Sequence, residues 1–130
     1  MSENDRTTGL VGNAGMKVPV LAASTAALTL SAAQTVDGVA LVSGDRVLVK
    51  DQASSVDNGV YVVDTGSWER AKDTDGSYDW VQGSLILVYG GTVNGNKIFK
   101  CTTASPVDVG TDALTFQALS AELTGSSKVI

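Results

Sequence analysis

Between Val36 and Val63 the chain alternates short β-forming runs with turn-forming pairs: Asp37-Gly38, Gly44-Asp45 and Asn58-Gly59. Glycine and asparagine tolerate positive φ, so each pair lets the backbone reverse tightly. A chain obliged to turn this often has no room for long helices. It is left with short strands, and several such strands at roughly regular spacing indicate an all-β sandwich or barrel.

The rest of the sequence fits that reading. Lys17-Val18-Pro19-Val20-Leu21 reads as a sheet-edge strand, because proline cannot donate a ladder hydrogen bond. Ser24 to Leu30 is ambiguous between helix and strand; the Leu28/Leu30 alternation with flanking threonines favours strand. Thr35-Val36 and Val39-Ala40-Leu41 flank the Asp37-Gly38 turn. In Arg46–Lys50 alternation places Val47 and Val49 on one face and Leu48 on the other. Gly59–Asp64 and Ser67–Ala71 form a hairpin across Thr65-Gly66, with Trp68 and Arg70 on a common face. Ser84–Tyr89 is an almost unbroken apolar run, as expected of a strand buried on both faces. Lys97–Thr102 is a further strand, and Ala113–Leu119 puts Leu114, Phe116 and Ala118 on one side. The expected architecture is therefore all-β, an antiparallel β-sandwich or small barrel with an extended N-terminal arm. Residues 1–16 form the arm, 17–120 the β domain and 121–130 a C-terminal tail. Gly9, Gly12 and Gly15 recur in the arm without an apolar period, and such a segment is ordered only when something holds it. Docking against a neighbouring subunit is the expectation.

Composition removes several function classes. The net charge of −5 offers no attraction to phosphate backbones or anionic lipid, so neither nucleic acid nor membrane is an expected partner. No window approaches the roughly 18 apolar residues of a membrane span, and the N-terminus lacks an apolar signal core. The chain has no histidine, so Ser-His and Cys-His pairs are impossible. Its single cysteine, Cys101, lies in a strand and reads as a small buried hydrophobe. No glycine-rich loop precedes Lys-Ser or Lys-Thr in the order a phosphate cradle needs. No catalytic residue and no cofactor are expected.

Candidate sites are few. Asp73, Asp75 and Asp79 share one loop with Gly76 and are the weak candidate for calcium, which takes closely spaced oxygen ligands. The glycine comes too early for an EF-hand and no glutamate closes the loop, so a solvated turn is the preferred reading. Asp45 reads as a turn former capping nearby amides, with Arg46 paired to it or to Asp51. An Asp45–Asp51 catalytic dyad is conceivable, but sequence gives no separation for it. Of the aromatics, Tyr61 and Trp68 are assigned to the core. Tyr78 and Trp80 lie in a polar loop and are the surface candidates, for a neighbouring subunit or for a glycan. The apolar pair Val129 and Ile130 is the other interface candidate.

Several of these segments together resemble a domain of tail fibres and other virion proteins of tailed bacteriophages. Thr25–Ser31 followed by Gln34-Thr35-Val36-Asp37-Gly38-Val39 is similar to its opening threonine-rich strand and "IDG" turn. Gly44-Asp45-Arg46-Val47-Leu48-Val49-Lys50 with Gln52 matches its central signature. Asn58-Gly59-Val60-Tyr61, Gly66–Ala71, Asp73-Thr74-Asp75, Gly83, Gly91 and Gly110–Phe116 continue in order. The likeness covers about residues 18 to 120; it departs at Phe99, where tryptophan is expected, and no fibre shaft or coiled coil is present. It implies a structural virion protein: a small fibre, a capsid decoration or an adaptor, synthesised in the host cytoplasm and carried in the particle. Its implied partners are copies of itself, a trimer by analogy with fibres, and other virion proteins. The resemblance supplies no catalytic residues. The alternative is a host-attachment module that binds surface glycan.

Overall fold

The computed structural model describes residues 15–76, 79–104 and 107–119, and it is all-β with several antiparallel sheets. The strands are β1 (Ala22–Ala23), β2 (Thr35–Val36), β3 (Val39–Ala40), β4 (Arg46–Val49), β5 (Gly59–Val62), β6 (Glu69–Arg70), β7 (Leu85–Val88), β8 (Lys97–Cys101) and β9 (Phe116–Ala118). Two short 3-10 turns, Ser55–Asp57 and Lys72–Thr74, lie between them. A four-stranded sheet has the order β1-β4-β5-β6, with β1 parallel to β4 and the other pairs antiparallel. A three-stranded antiparallel sheet has the order β7-β8-β9, and β2–β3 is a separate hairpin.

Residues 15–24 join the two larger sheets. Met16 and Val20 bridge β7 in parallel, opposite Leu85 and Val88. A few residues on, the Leu21 and Ser24 amides donate to the Arg46 and Leu48 carbonyls. One extended segment thus leaves the edge of one sheet and enters the edge of the other. Sheet contact begins at Gly15, whose carbonyl accepts from the Leu85 amide, two residues before the boundary expected from sequence. The remaining arm residues and the 121–130 tail lie outside the described residues.

Two apolar cores fill the molecule. Leu48 and Val60 from the four-stranded sheet meet Ile86, Val88, Phe99 and Cys101 from the three-stranded sheet. On the other side of β4 and β5, Val47, Val49, Tyr61 and Val63 pack with Ala22, Val36, Leu41 and Trp68. The alternation read in Arg46–Lys50 therefore holds, with both faces of β4 buried. Each fully buried aliphatic side chain here contributes about 1.5–3 kcal/mol relative to exposure.

Several expected strands are shorter or absent. Residues 25–30 form no strand. The Gln52 side-chain amide accepts from the Leu28 amide at 2.7 Å and donates back to the Leu28 carbonyl at 3.1 Å. Gln34 donates to the carbonyls of Thr29 and Ser31. Side-chain amides thus satisfy this backbone where a neighbouring strand would have done so. Residues 17–21 form no continuous strand, with one isolated bridge at Val20. In β7 only Ile86 and Val88 are buried, Leu85 and Leu87 are half-buried and Tyr89 is 69 % exposed, so among the described residues one face is covered where two were expected.

Candidate interaction surface

The polar residues of the turn-rich motif face into the fold. Asp37 (φ 50°) and Gly38 (φ 83°) make the tight hairpin turn between β2 and β3. The Asp37 carboxylate accepts from the amides of Val93 (2.9 Å) and Asn94 (2.8 Å), and its carbonyl accepts from Thr92 (3.0 Å). The hairpin tip is in this way fastened to the β7–β8 connection. Gly91 sits at φ 121° directly against that carboxylate, where a Cβ would collide.

Asp45 accepts from the Val42 amide at 2.8 Å, the turn-capping role expected of it. Arg46 pairs with neither Asp45 nor Asp51. Its guanidinium instead meets Asp73 at 2.9 Å and donates to the carbonyls of Val18 (2.9 Å) and Pro19 (3.3 Å). Asp51 is occupied by the Ser24 hydroxyl (2.8 Å) and by Lys50 (3.1 Å). Asn58 is buried; it accepts from the Gln52 amide and donates to the Leu114 carbonyl. Arg70 donates to the Asn58 and Val56 carbonyls at 2.8 and 2.9 Å, with its guanidinium 5.1 Å from the Tyr61 ring centre. Trp68 is buried as expected, and its indole donates to the Ala32 carbonyl at 3.0 Å. These residues act as staples between loops and strands.

The loop after β6 bears on two of the candidate sites. Asp73 is held by Arg46, and Asp79 accepts from the Gly76 amide at 2.8 Å. Among the described residues no three of Asp, Glu, His and Cys gather where they could hold a metal ion, so Asp73, Asp75 and Asp79 do not form the calcium cluster. Trp80 is fully buried, not a surface residue: it packs edge-to-face on Phe116 with ring centres 5.2 Å apart. Polar neighbours suggested exposure, but the loop turns its indole into the core between the two larger sheets. Tyr78, Val129 and Ile130 lie outside the described residues.

Lys17 was not singled out by sequence. Only 2 % exposed, it donates to the Asp73 carbonyl at 3.2 Å, and its ammonium lies 5.6 Å from the Trp80 ring centre. Burial pushes its pKa below the usual lysine value, against the opposing pull of Asp73 and Asp79. Its only sequence signal is a position in an extended segment between Met16 and Val18, which are 51 % and 55 % exposed. Cys101 is buried, and burial raises its thiol pKa, which keeps it in the inert protonated form.

With the polar motif turned inward, the outer surface is notable for its apolar side chains. Met16, Val18, Val42, Tyr89 and Val93 are all more than half exposed. A shallow depression of about 320 Å³ opens between Pro19, Leu21, Gly44, Asp45, Arg46 and Tyr89. The charged groups at its rim are directed into the fold: Asp45 to an amide, Arg46 to two carbonyls and a carboxylate. Such a surface is suited to contact with another apolar surface. Comparison with family models, with curated proteins and with solved structures found no match.

Proposed function

We propose that this chain is a structural component of a tailed-bacteriophage virion, a small fibre, decoration or adaptor protein acting through protein–protein contacts with copies of itself and with other virion proteins. One observation carries the reading. The polar residues of the motif use their hydrogen bonds to lock loops onto strands, while large apolar side chains around Tyr89 and Val18 stay outside. A stiff body with unspent apolar surface is what an assembling subunit needs. No catalytic step is assigned to it.

The direct test is to look for the chain in purified particles. Mass spectrometry of gradient-purified virions should find it at a fixed ratio to the major capsid protein, and imaging should locate it. Its absence from such particles would end the proposal. The host-glycan alternative loses Trp80 to the core and keeps Tyr89 as an exposed aromatic. A glycan array with wild type and Tyr89→Ala decides it: a signal lost in the variant favours attachment, and no signal favours a purely structural role.

A further inference from the structure

Trp80 carries a polar group that the surrounding protein leaves unmet. Its indole is fully buried, and among the described residues Nε1 is the one buried side-chain nitrogen or oxygen with no hydrogen-bond partner. Trp68, the other tryptophan, donates to the Ala32 carbonyl at 3.0 Å. An indole N–H only donates, so what it lacks is an oxygen that accepts. Folded interiors leave few such donors unpaired, and an ordered water or ion is a common partner for those they do.

The neighbourhood of Trp80 is polar for so deep a place. The Lys17 ammonium lies 5.6 Å from its ring centre, and of the three N–H groups one has an acceptor, the Asp73 carbonyl at 3.2 Å. Next in the chain, Thr74 is fully buried, and its hydroxyl donates to the Ala71 carbonyl at 3.3 Å while its lone pairs can accept. Lys17 and Trp80 cannot satisfy one another, because neither side chain has an acceptor. The joint between residues 15–24 and the loop after β6 therefore holds more donors than acceptors. Charge decides which kind of acceptor fits. Asp73 and Asp79 both act on Lys17 through their negative charge, so an anion would meet two carboxylates there. A water meets neither objection: it is neutral, accepts twice and has two hydrogens to give.

We infer that this joint binds one internal water, which accepts from the Trp80 indole and the Lys17 ammonium and donates to the Thr74 hydroxyl and the Asp73 carbonyl. It seats the loop after β6 against the segment that joins the two larger sheets. The inference does not rest on the virion reading and would stand without it.

The test uses the full chain in solution. Nuclear Overhauser contacts between water and the two indole protons show which tryptophan holds a long-lived water, and oxygen-17 relaxation dispersion counts such waters. The expected result is a long-lived contact at Trp80 and none at Trp68, whose indole already has its carbonyl. Trp80→Phe should lower the count by one. Lys17→Met is the second variant, used should Trp80→Phe fold poorly; with one partner gone the same water should be lost or exchange roughly tenfold faster, since a buried water leaves through local opening. No water contact at the Trp80 indole overturns the inference, as does an unchanged count and exchange rate in the variants, since a protein group would then be the acceptor. A crystal grown in bromide separates the other occupant: an anomalous peak beside Nε1 makes it an anion and overturns the inference, and a water-sized peak without anomalous signal supports it.

Discussion

The two larger sheets are built from similar material and put to different use. The four-stranded sheet is covered on both sides: Leu48 and Val60 enter one core while Val47, Val49 and Tyr61 enter the other. Among the described residues the three-stranded sheet is covered on one side only, by the same core that takes Leu48. Yet β7, Leu-Ile-Leu-Val, is as apolar as Val-Leu-Val in β4. Hydrophobic content therefore does not distinguish a central layer from an outer one. What distinguishes them is whether other segments of the chain reach the second face. The β2–β3 hairpin, fastened by the clamp between Asp37 and the amides of Val93 and Asn94, does so for the four-stranded sheet, as does Trp68, whose indole donates to the Ala32 carbonyl.

Substitutions can break or sharpen this contrast. The largest effect is expected in the doubly covered sheet: Leu48→Ala should cost about 2–5 kcal/mol in a denaturant titration, because a fully buried side chain leaves a cavity. Leu87→Ala on the outward face should cost well under half as much, and equal costs would erase the contrast. Removing the staple under Tyr61 comes next. Arg70→Met should lose about 1–3 kcal/mol, because the Asn58 and Val56 carbonyls lose charged donors. Gly91→Ala should cost about 1–3 kcal/mol, since φ 121° disfavours any side chain and the new Cβ meets the Asp37 carboxylate. Its signature would be faster amide exchange in the β2–β3 hairpin, which the clamp holds.

A smaller effect concerns pH. The folded-state pKa of Lys17 lies below its unfolded value, so between the two the unfolded chain binds more protons and stability rises with pH. Wild type should accordingly gain on Lys17→Met as pH climbs toward 10.5, the ordinary lysine value. Tyr61 and Cys101 have raised pKa values and act with the opposite sign above 10.0 and 9.0, but equally in both proteins, so the difference isolates Lys17. A gap between the two proteins that stays constant with pH would remove burial as the cause. The smallest effect is expected at Tyr89→Ser, within about 0.5 kcal/mol for the isolated chain, since the side chain is 69 % exposed.

How far the sequence was legible differs residue by residue. Asp37-Gly38 was readable as a turn because its positive φ values are a property of those two residues alone. The faces of Val47, Leu48 and Val49 followed from the pleat, as did the inward side of Leu114, Phe116 and Ala118. Trp80 was misread because its immediate neighbours are polar while its packing partner, Phe116, lies 36 residues away in sequence. Arg46 was misread for the same reason: two nearer carboxylates were in view, and the one it meets is 27 residues on. Residues 25–30 look like a strand locally, but Gln52 and Gln34 take the hydrogen bonds a neighbouring strand would need.

By itself the sequence determined where this chain turns, that it is made of strands, and which way the side chains of its best strands point. Those features depend on φ preferences and on a two-residue period, both carried by near neighbours. The tertiary structure alone decided that Lys17 and Trp80 are buried together, that Arg46 reaches Asp73, and that Leu85 and Leu87 of β7 are only half-buried among the described residues. Each is a contact between distant segments, set by which surfaces the folded chain brings together.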